Sequence, residues 1–354
     1  MTRLIRASMV AFSFAAVAGL AQPRAQGGPT PYKLGMFQQG DRTFVGMVLK
    51  DEVVIDLSRT IAGTPSTLKA LIEQWGPPTA SRFASVASDA TSNPPASAMK
   101  VSQLKLLPPI TDPKVLLSTA VNYQEHAMEM RSTSTTAESA AAVDPKIARG
   151  IPGYWERRPG DPRQNPYFFV KANTAITSHD GPIVLPKGRT QIDWECEMNI
   201  VIGKVAKHVS RDNAAEFIFG YTLMNDVSDR GGRADGRHGS DWQLGKSHDT
   251  FAPLGPYIVP REFVANPQKL AVKFTLNDTV MQDSNTDRMT HTVYELVEYA
   301  SNMMTLHPGD LISTGSPAGV GTARATPVYF KDGDRSTCTI ESIGTLRNVA
   351  QAEK

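Results

Sequence analysis

Short apolar runs with polar breaks dominate the chain after residue 166. Runs such as YFFVKANTAI, GPIVLP, EMNIVIGK, YTLMND, PLGPYIV and DLISTG have the length and composition of β-strands. Helical periodicity is confined to two later segments, DNAAEFIF and TVYELVEYASNMMTLH. No internal repeat is evident. The pattern therefore predicts a mainly β fold with some α-helix and with mixed sheets.

The first part of the chain is organised differently. YKLGMFQQGDRTFVGMVLKDEVVIDLS predicts a strand meander, and STLKALIEQWG predicts a short amphipathic helix that ends at Gly76. The small, polar stretch ASVASDATSNPPASAM predicts a surface connection. We therefore predict a small α+β domain over residues 30–106 and a larger catalytic domain over residues 107–350.

Residues 131–165 differ from both domains. RSTSTTAESAAAV is small and polar, and IPGYWERRPGDPRQNP is rich in Pro, Gly and Arg. Long irregular loops in compact domains are often lids or disordered segments, so we interpret this stretch as a lid or insertion beside the active site. Its arginines, Arg157, Arg158 and Arg163, fit an anionic substrate as well as they fit a solvated basic loop.

The N-terminus has the parts of a secretory signal. MTRLIR is positively charged, ASMVAFSFAAVAGLA is apolar, and small residues follow. We predict a signal peptide over residues 1–25, cut after Ala21 or Ala25, and an exported protein that is periplasmic or secreted. An uncleaved anchor is the alternative, but the apolar run is short for a bilayer span. No second run of spanning length follows, so no membrane association is expected after cleavage.

The net charge and the cysteine content argue against two further classes of protein. The net charge is +2 and no basic block occurs, so a nucleic-acid partner is not expected. Cys196 and Cys338 are the only cysteines, which is not the disulfide framework of a small secreted domain. We favour Cys196 as a small buried core residue. A bridge between the two cysteines is the alternative, because the sequence gives no distance.

Three carboxylates are candidate metal ligands. Glu195 and Glu197 lie two positions apart in the predicted strand IDWECEMNIVIGK, so their side chains share a face. Like charges this close repel unless something positive lies between them. Asp226, at the end of the YTLMND strand, supplies a third carboxylate. Without a His or Cys cluster, the set favours Mg²⁺ or Mn²⁺, with Ca²⁺ as a further choice. A water-facing edge strand is the alternative.

A histidine and a lysine are candidate catalytic groups. His126 and Glu129 are three positions apart in VNYQEHAMEM, a spacing at which a helix lets the carboxylate orient the imidazole. A water-activating base needs such an orienting group. Lys246 lies in QLGKSHDTFAPLGP. Taken singly, the pair also fits a surface helix and the lysine also fits a solvated loop. The chain lacks the H-E-x-x-H and G-x-S-x-G motifs.

Six segments together resemble the fumarylacetoacetate hydrolase superfamily, and they occur in the family's order. The segments are VNYQEHAMEM, FVKANTAI, IDWECEMNIVIGK, GYTLMNDVSDR, GKSHDTFAPLGPYIV and GDLISTGSPAGVG. The resemblance extends from about residue 107 to the C-terminus. It implies a mixed β-roll catalytic domain, a homodimer and a divalent cation, most often Mg²⁺.

The resemblance also implies a role for each matching residue. It implies Glu195, Glu197 and Asp226 as metal ligands, His126 and Glu129 as a catalytic dyad, Lys246 as the group that stabilises developing negative charge, and Arg230, Lys171 and Ser316 as substrate-binding residues. Arg233, where the chain departs from the family pattern, is a further candidate for substrate binding.

Some positions depart from the family pattern. Thr119 lies where fumarylacetoacetases have a fourth acidic ligand, so the chain is similar to the three-carboxylate branch of acylpyruvases and oxaloacetate decarboxylases. After Arg230, the sequence GGR replaces the family's Asp-x-Gln, which removes a polar contact and adds Arg233. Ala172 and Asn173 replace the Pro and Ser that usually follow Lys171. These departures predict an unusual substrate.

The resemblance therefore implies a divalent-metal-dependent hydrolase that cleaves a carbon–carbon bond in a 1,3-dicarbonyl or acylpyruvate-like small anionic oxo acid, through a metal-held enolate. A 2-oxo acid decarboxylase or an isomerase or tautomerase on the same site is the second expectation. A non-catalytic exported protein that binds metal or oxo acid is a rival from another class. The presence of His126, Glu129 and Lys246 favours an enzyme.

Overall fold

A computed structural model of the protein describes residues 29–133, 161, 163–234 and 240–354. The predicted signal peptide and most of the predicted lid lie outside these residues, so both stay predictions. The described part is mainly β with short helices, which confirms the predicted fold class. Among the described residues, no helix combines the length and apolar character needed to cross a membrane.

The strands, in chain order, are β1 (Lys33–Gln39), β2 (Arg42–Leu49), β3 (Val53–Asp56), β4 (Met99–Lys100), β5 (Lys105–Leu107), β6 (Leu116–Ala120), β7 (Tyr167–Val170), β8 (Ile176–Thr177), β9 (Pro182–Leu185), β10 (Ile192–Asp193), β11 (Cys196–Ile202), β12 (Ile218–Asn225), β13 (Ser228–Asp229), β14 (Ala252–Pro260), β15 (Ala271–Leu276), β16 (Thr279–Asn285), β17 (Leu311–Ser313), β18 (Arg335–Ile340) and β19 (Gly344–Ala352). The helices are α1 (Leu57–Thr60), α2 (Leu68–Glu73), α3 (Pro77–Ser92), α4 (Gln124–Thr133), α5 (Arg230–Ala234), α6 (Trp242–Lys246) and α7 (Val293–Met303).

One large mixed sheet carries strands from both predicted domains. Its order is β4-β3-β2-β1-β14-β12-β11-β17-β6-β7, with β5 beside β1 and β8 beside β14. β1 and β14 pair antiparallel with Leu34 opposite Ile258, so the predicted small domain extends the sheet of the predicted catalytic domain. The boundary between residues 106 and 107 stays a prediction.

A second sheet packs on the first. Its order is β16-β15-β18-β19-β9, and its central strands contact β11, β12 and β14 of the large sheet. Apolar side chains from both layers fill one continuous core. The indole of Trp194 stacks on the ring of Phe274 at 5.5 Å, which holds the start of β11 against β15. The ends of β11 and β12 are thereby fixed by two layers.

Two predictions about local structure were wrong. The stretch predicted as a surface connection is mostly the helix α3, which begins with two prolines and buries Phe83, Ala87 and Ala90 on one face. Alanine carried this apolar face, so the pattern looked merely small and polar. DNAAEFIF forms only a 3-10 turn over Ala214–Phe217, and Ile218 then begins β12.

The two cysteines form a disulfide between the sheets. Cys196 on β11 is bonded to Cys338 on β18, with the Cα atoms 5.4 Å apart. Both residues are buried, so the burial predicted for Cys196 is confirmed. The bridge that was the alternative is also present, because the packing of the sheets closes a sequence separation of 142 residues.

Arg163, the described member of the predicted lid arginines, is held by carboxylates of this chain. Its guanidinium donates to Asp161 at 2.7 Å and to Glu295 at 2.8 Å. Glu295 also accepts from the N–H of Thr292 at the start of α7. Burial alone would raise the pKa of Glu295, but the bonds from Arg163 and Thr292 hold it below its usual value.

This arrangement predicts how Glu295 contributes to stability across pH. Because its folded pKa is lowered, the contribution is present above the unfolded pKa of about 4.3 and is lost as pH falls through the folded value. At pH 7, Glu295→Gln should lower the free energy of unfolding by about 1–3 kcal/mol. In guanidinium denaturation, the difference from wild type should shrink below pH 4. Glu73→Gln, at an exposed helical position, is the control and should show no such trend. A pH-independent difference would contradict this assignment.

Candidate active site

Three buried carboxylates meet where β11 and β12 lie side by side. Glu195 directly precedes β11, Glu197 lies on it, and Asp226 directly follows β12. The N–H of Asp226 donates to the carbonyl of Glu195 at 2.8 Å, which brings the strand ends together. One oxygen from each carboxylate lies within 4.8 Å of the others. The structure thus brings the predicted metal ligands together.

Lysine and arginine side chains surround two of these carboxylates. Lys246 Nζ lies 2.6 Å from Glu195 and 2.8 Å from Asp226. Lys171 Nζ lies 2.5 Å from Asp226, and Arg230 Nη2 lies 2.7 Å from Glu195. Burial lowers the pKa of Lys171 to about 8, although Asp226 opposes this effect. Lys171 and Arg230, which the resemblance implies as substrate-binding residues, therefore contact the carboxylate cluster.

Glu197 differs from its two neighbours in its contacts. Its Oε2 accepts from the hydroxyl of Ser313 and from the N–H of Gly315, which are neutral donors. Burial raises the pKa of Glu197 well above its usual value, and the charges of Asp226 and Glu195 add to the rise. Burial also tends to raise the pKa of Glu195, but Lys246 and Arg230 outweigh it and hold that pKa below its usual value. Glu197 is therefore the carboxyl group of the cluster whose ionised form these contacts stabilise least.

A divalent cation fits this cluster. The candidate ligands Glu195, Glu197 and Asp226 offer only oxygen atoms, the donors that hard cations such as Mg²⁺ and Mn²⁺ prefer. Positive charge at the cluster would also relieve the repulsion that raises the pKa of Glu197. The oxygen ligand atoms and the charge balance of the cluster therefore both favour a cation site.

The predicted dyad faces this cluster from α4. His126 Nδ1 lies 2.7 Å from Glu129 Oε1, and His126 Nε2 lies 3.9 Å from Glu195 Oε1. The second oxygen of Glu129 accepts from the N–H of Gly319 at 2.9 Å. The carboxylate of Glu129 is therefore anchored on one side and orients the imidazole on the other. This is the arrangement of a general base held by a carboxylate.

A cavity of about 310 Å³ joins these groups. Its polar lining residues are Thr119, His126, Glu195, Glu197, Arg230, Lys246 and Ser316, and its apolar lining residues are Ala120, Val121, Ala127, Met130, Phe169 and Trp242. Lys246 Nζ lies 5.0 Å from the centre of the Phe169 ring, which lies 4.9 Å from that of Trp242. Charged groups beside an apolar wall suit a small organic acid.

Ser316 lines this cavity, and Gln282 holds it there. The amide of Gln282 donates to Ser316 Oγ and to the carbonyl of Pro317, both at 2.8 Å. The oxygen of the same amide accepts from the N–H of Cys196 at 3.0 Å. Arg233 lies on α5, and its side chain is outside the described part of the structure. Its predicted contact with substrate stays a prediction.

The sequence analysis missed several residues of the site, and local spacing could have found two of them. Phe169 lies on β7 two positions before Lys171, which directly follows the strand, so an extended chain places the two side chains on one face. Trp242 precedes Lys246 by four positions on α6, so these two share a helix face. Gln282 gave no such signal, because its strand is distant from the site in sequence.

Thr119, which lies where fumarylacetoacetases have a fourth acidic ligand, makes a hydrogen bond through a neutral group. Its hydroxyl donates to the carbonyl of Ser313 at 2.6 Å, and the side chain is buried. The position therefore contributes a neutral hydroxyl to the cavity in place of an acidic ligand.

Comparison with known families agrees with this site. The family model described as fumarylacetoacetate (FAA) hydrolase C-terminal matches residues 116–351, which include the carboxylates, the dyad and Lys246. The chain belongs to the fumarylacetoacetate hydrolase family. Members of this family use a divalent metal, and the three-carboxylate cluster supplies suitable ligands here.

Relatives within the fumarylacetoacetate hydrolase family differ in activity. An oxaloacetate tautomerase, Fahd2a, from Rattus norvegicus mitochondria is 34% identical over 70% of this chain and 69% of its own. A 2,4-didehydro-3-deoxy-L-rhamnonate hydrolase from Sphingomonas sp. (strain SKA58) is 42% identical over 51% of this chain and 64% of its own. Family membership therefore gives an enzyme class with hydrolases and tautomerases, without deciding between them.

Solved structures of the family share the fold. A fumarylacetoacetate hydrolase from psychrophilic Exiguobacterium antarcticum is 27% identical with a TM-score of 0.69, covering 91% of this chain and 100% of that one. A maleylpyruvate hydrolase from Sphingobium sp. SYK-6, in complex with manganese(II) ion and pyruvate, is 26% identical with a TM-score of 0.66 and the same coverage.

The carboxylate cluster predicts stabilisation by Mn²⁺. At a Mn²⁺ concentration about 100-fold above the Kd, the free energy of unfolding should rise by about 2.7 kcal/mol, because only the folded chain assembles the site. Asp226→Asn and Glu197→Gln should lose this gain, whereas Glu216→Gln, an exposed residue near the other end of β12, should keep it. Chemical denaturation with and without Mn²⁺ measures the gain. An undiminished gain in Asp226→Asn would contradict the assignment.

Proposed function

We propose that the protein is a divalent-metal-dependent hydrolase that cleaves a carbon–carbon bond in a 1,3-dicarbonyl or acylpyruvate-like small oxo acid. The observation that carries the proposal is the His126–Glu129 pair beside the carboxylate cluster, with His126 Nε2 3.9 Å from Glu195. Hydrolysis needs a base that takes a proton from water next to the substrate carbonyl. His126 lines the cavity in which such a carbonyl would lie, and Glu129 holds its imidazole.

The chain's own groups account for the steps of this reaction. His126 takes a proton from water, and Glu129 holds the imidazole and stabilises its charged form. The water oxygen bonds to the carbonyl carbon, the carbon–carbon bond then breaks, and the proton on His126 passes to the carbon that leaves. A divalent cation on Glu195, Glu197 and Asp226 supplies Lewis-acid polarisation of a substrate carbonyl when it is bound.

Lys246 supports the step in which negative charge develops on the substrate. Its ammonium is buried and lies over the Phe169 ring at the cavity wall. A fixed positive charge in such an environment is worth more than in water, because the dielectric is low and no solvent must reorient. Arg230, paired with Glu195 and Asp193, keeps its charge and adds to the positive electrostatic potential at the cavity.

Keto–enol tautomerisation of an oxo acid is the second candidate activity. Relatives named as oxaloacetate tautomerases, among them two that are 34% and 35% identical to this chain, favour it. Tautomerisation moves one proton between carbon and oxygen, so it would use His126 as the base without adding water. The two candidates therefore share a site and differ in their products.

We also propose that the chain is exported and forms a homodimer. The disulfide between Cys196 and Cys338 supports an oxidising compartment, in agreement with the signal-like N-terminus. The homodimer is proposed from the family resemblance, and light scattering of the purified protein tests it.

His126→Ala should retain Mn²⁺ binding and lose about 10²–10⁴-fold in kcat for hydrolysis, because the base is removed and the ligands remain. His208→Ala, at an exposed position, is the matched control and should leave kcat unchanged. The assay follows enol absorbance and identifies products from acylpyruvates, β-diketones and oxaloacetate. The dyad assignment would be wrong if His126→Ala hydrolysed its substrate at the wild-type rate.

Two further outcomes of the same assay separate the candidates. Stoichiometric release of two fragments from an acylpyruvate supports hydrolysis. Exchange between the keto and enol forms of oxaloacetate, with no fragment released from any substrate, would show that the activity is tautomerisation and not hydrolysis. Full hydrolysis after EDTA treatment and exhaustive dialysis would contradict the need for a divalent cation.

A further inference from the structure

We propose that the Cys196–Cys338 disulfide positions the cation ligands Glu195 and Glu197, beyond stabilising the fold. The proposal rests on the cation site put forward above. It makes Cys196 and Cys338 positioning residues for a site that neither of them touches directly.

The position of Cys196 in the chain is the first observation. It lies between Glu195 and Glu197, and alternation along the strand points its side chain away from both carboxylates. Its sulfur bonds to Cys338 on β18 of the second sheet. The covalent link between the two sheets is therefore attached at the residue that separates the two ligands.

The second sheet holds the same short stretch by two other contacts. The N–H of Cys196 donates to Gln282 on β16 at 3.0 Å. The indole of Trp194, which directly precedes Glu195, stacks on Phe274 of β15. Neighbouring strands of the second sheet thus hold the main chain from residue 194 to 196, and the disulfide is the only covalent link among these contacts.

The cluster depends on such restraint because a cation binds tightly only where its ligands are held in place. Glu195, Glu197 and Asp226 lie within 4.8 Å of one another and are all buried. Cationic side chains hold Glu195 and Asp226, whereas the hydrogen-bond donors to Glu197 in the described part of the chain are neutral. Groups that orient the ligands from outside the coordination sphere commonly set metal affinity. A crosslink behind Cys196 fixes the position of the stretch that carries Glu195 and Glu197 relative to the second sheet.

The test compares the Mn²⁺ affinity of a variant that loses the disulfide with that of a variant that loses a buried side chain near it. Cys338→Ala removes the bridge and leaves the Glu-Cys-Glu sequence intact. Ile340→Ala is the matched control, because Ile340 is buried on the same face of β18 two positions further on. Electron paramagnetic resonance of free Mn²⁺ gives the Kd, under conditions where circular dichroism shows each variant to be folded.

Cys338→Ala should raise the Kd for Mn²⁺ about tenfold, the lower end of the range for outer-shell partners, because Gln282 still holds the strand. Ile340→Ala should leave the Kd unchanged. If Cys338→Ala does not fold, Cys196→Ala/Cys338→Val refills the space between the sheets and should show the same rise. A wild-type Kd in the bridge-free variant, or an equal rise in Ile340→Ala, would overturn the proposal.

Two controls separate this proposal from the function proposed above. Thiol titration of the denatured wild type without reductant should find no free thiol, and two free thiols would overturn the positioning role. Absence of Mn²⁺ binding in the wild type would overturn the cation site itself. If instead the wild type and the bridge-free variant bind Mn²⁺ equally well, the positioning role is overturned and the cation site remains supported.

Discussion

The burial of three neighbouring carboxylates is the constraint on which the rest of the site depends. Glu195, Glu197 and Asp226 are held where the ends of β11 and β12 meet, with oxygens within 4.8 Å of one another. Isolated carboxylates do not remain ionised in a protein interior without partners. Lys246 and Lys171 supply part of the compensation, and the raised pKa of Glu197 marks the part that is missing. A divalent cation would complete this balance.

The two-layered fold provides the rigidity that this cluster requires. The large sheet supplies the ligands, and the second sheet holds their strand from behind through Cys338, Gln282 and Phe274. On the open side, α4 brings His126 over the cluster, and Gly319 fixes Glu129 behind it. The candidate metal ligands and the candidate base therefore lie on separate elements that converge on one cavity.

Local spacing suggested the chemical groups, and the family resemblance decided in their favour. Strand alternation gave Glu195 and Glu197, and helical spacing gave His126 and Glu129, because these pairs depend on short-range geometry. Contacts between distant strands could not be predicted from residue patterns. The Cys196–Cys338 bridge and the role of Gln282 arise only from packing of the sheets. The helix α3 was missed because alanines, which look neutral in sequence, form its buried face.

The most direct measurement is anomalous diffraction from crystals of the protein soaked in Mn²⁺. The cation account predicts a single strong anomalous peak for an ion that Glu195, Glu197 and Asp226 bind. The Nζ of Lys246 either leaves its place between Glu195 and Asp226 or stays beside the ion. It would be contradicted by crystals that show no peak at these carboxylates at saturating Mn²⁺, with Lys246 still bridging Glu195 and Asp226.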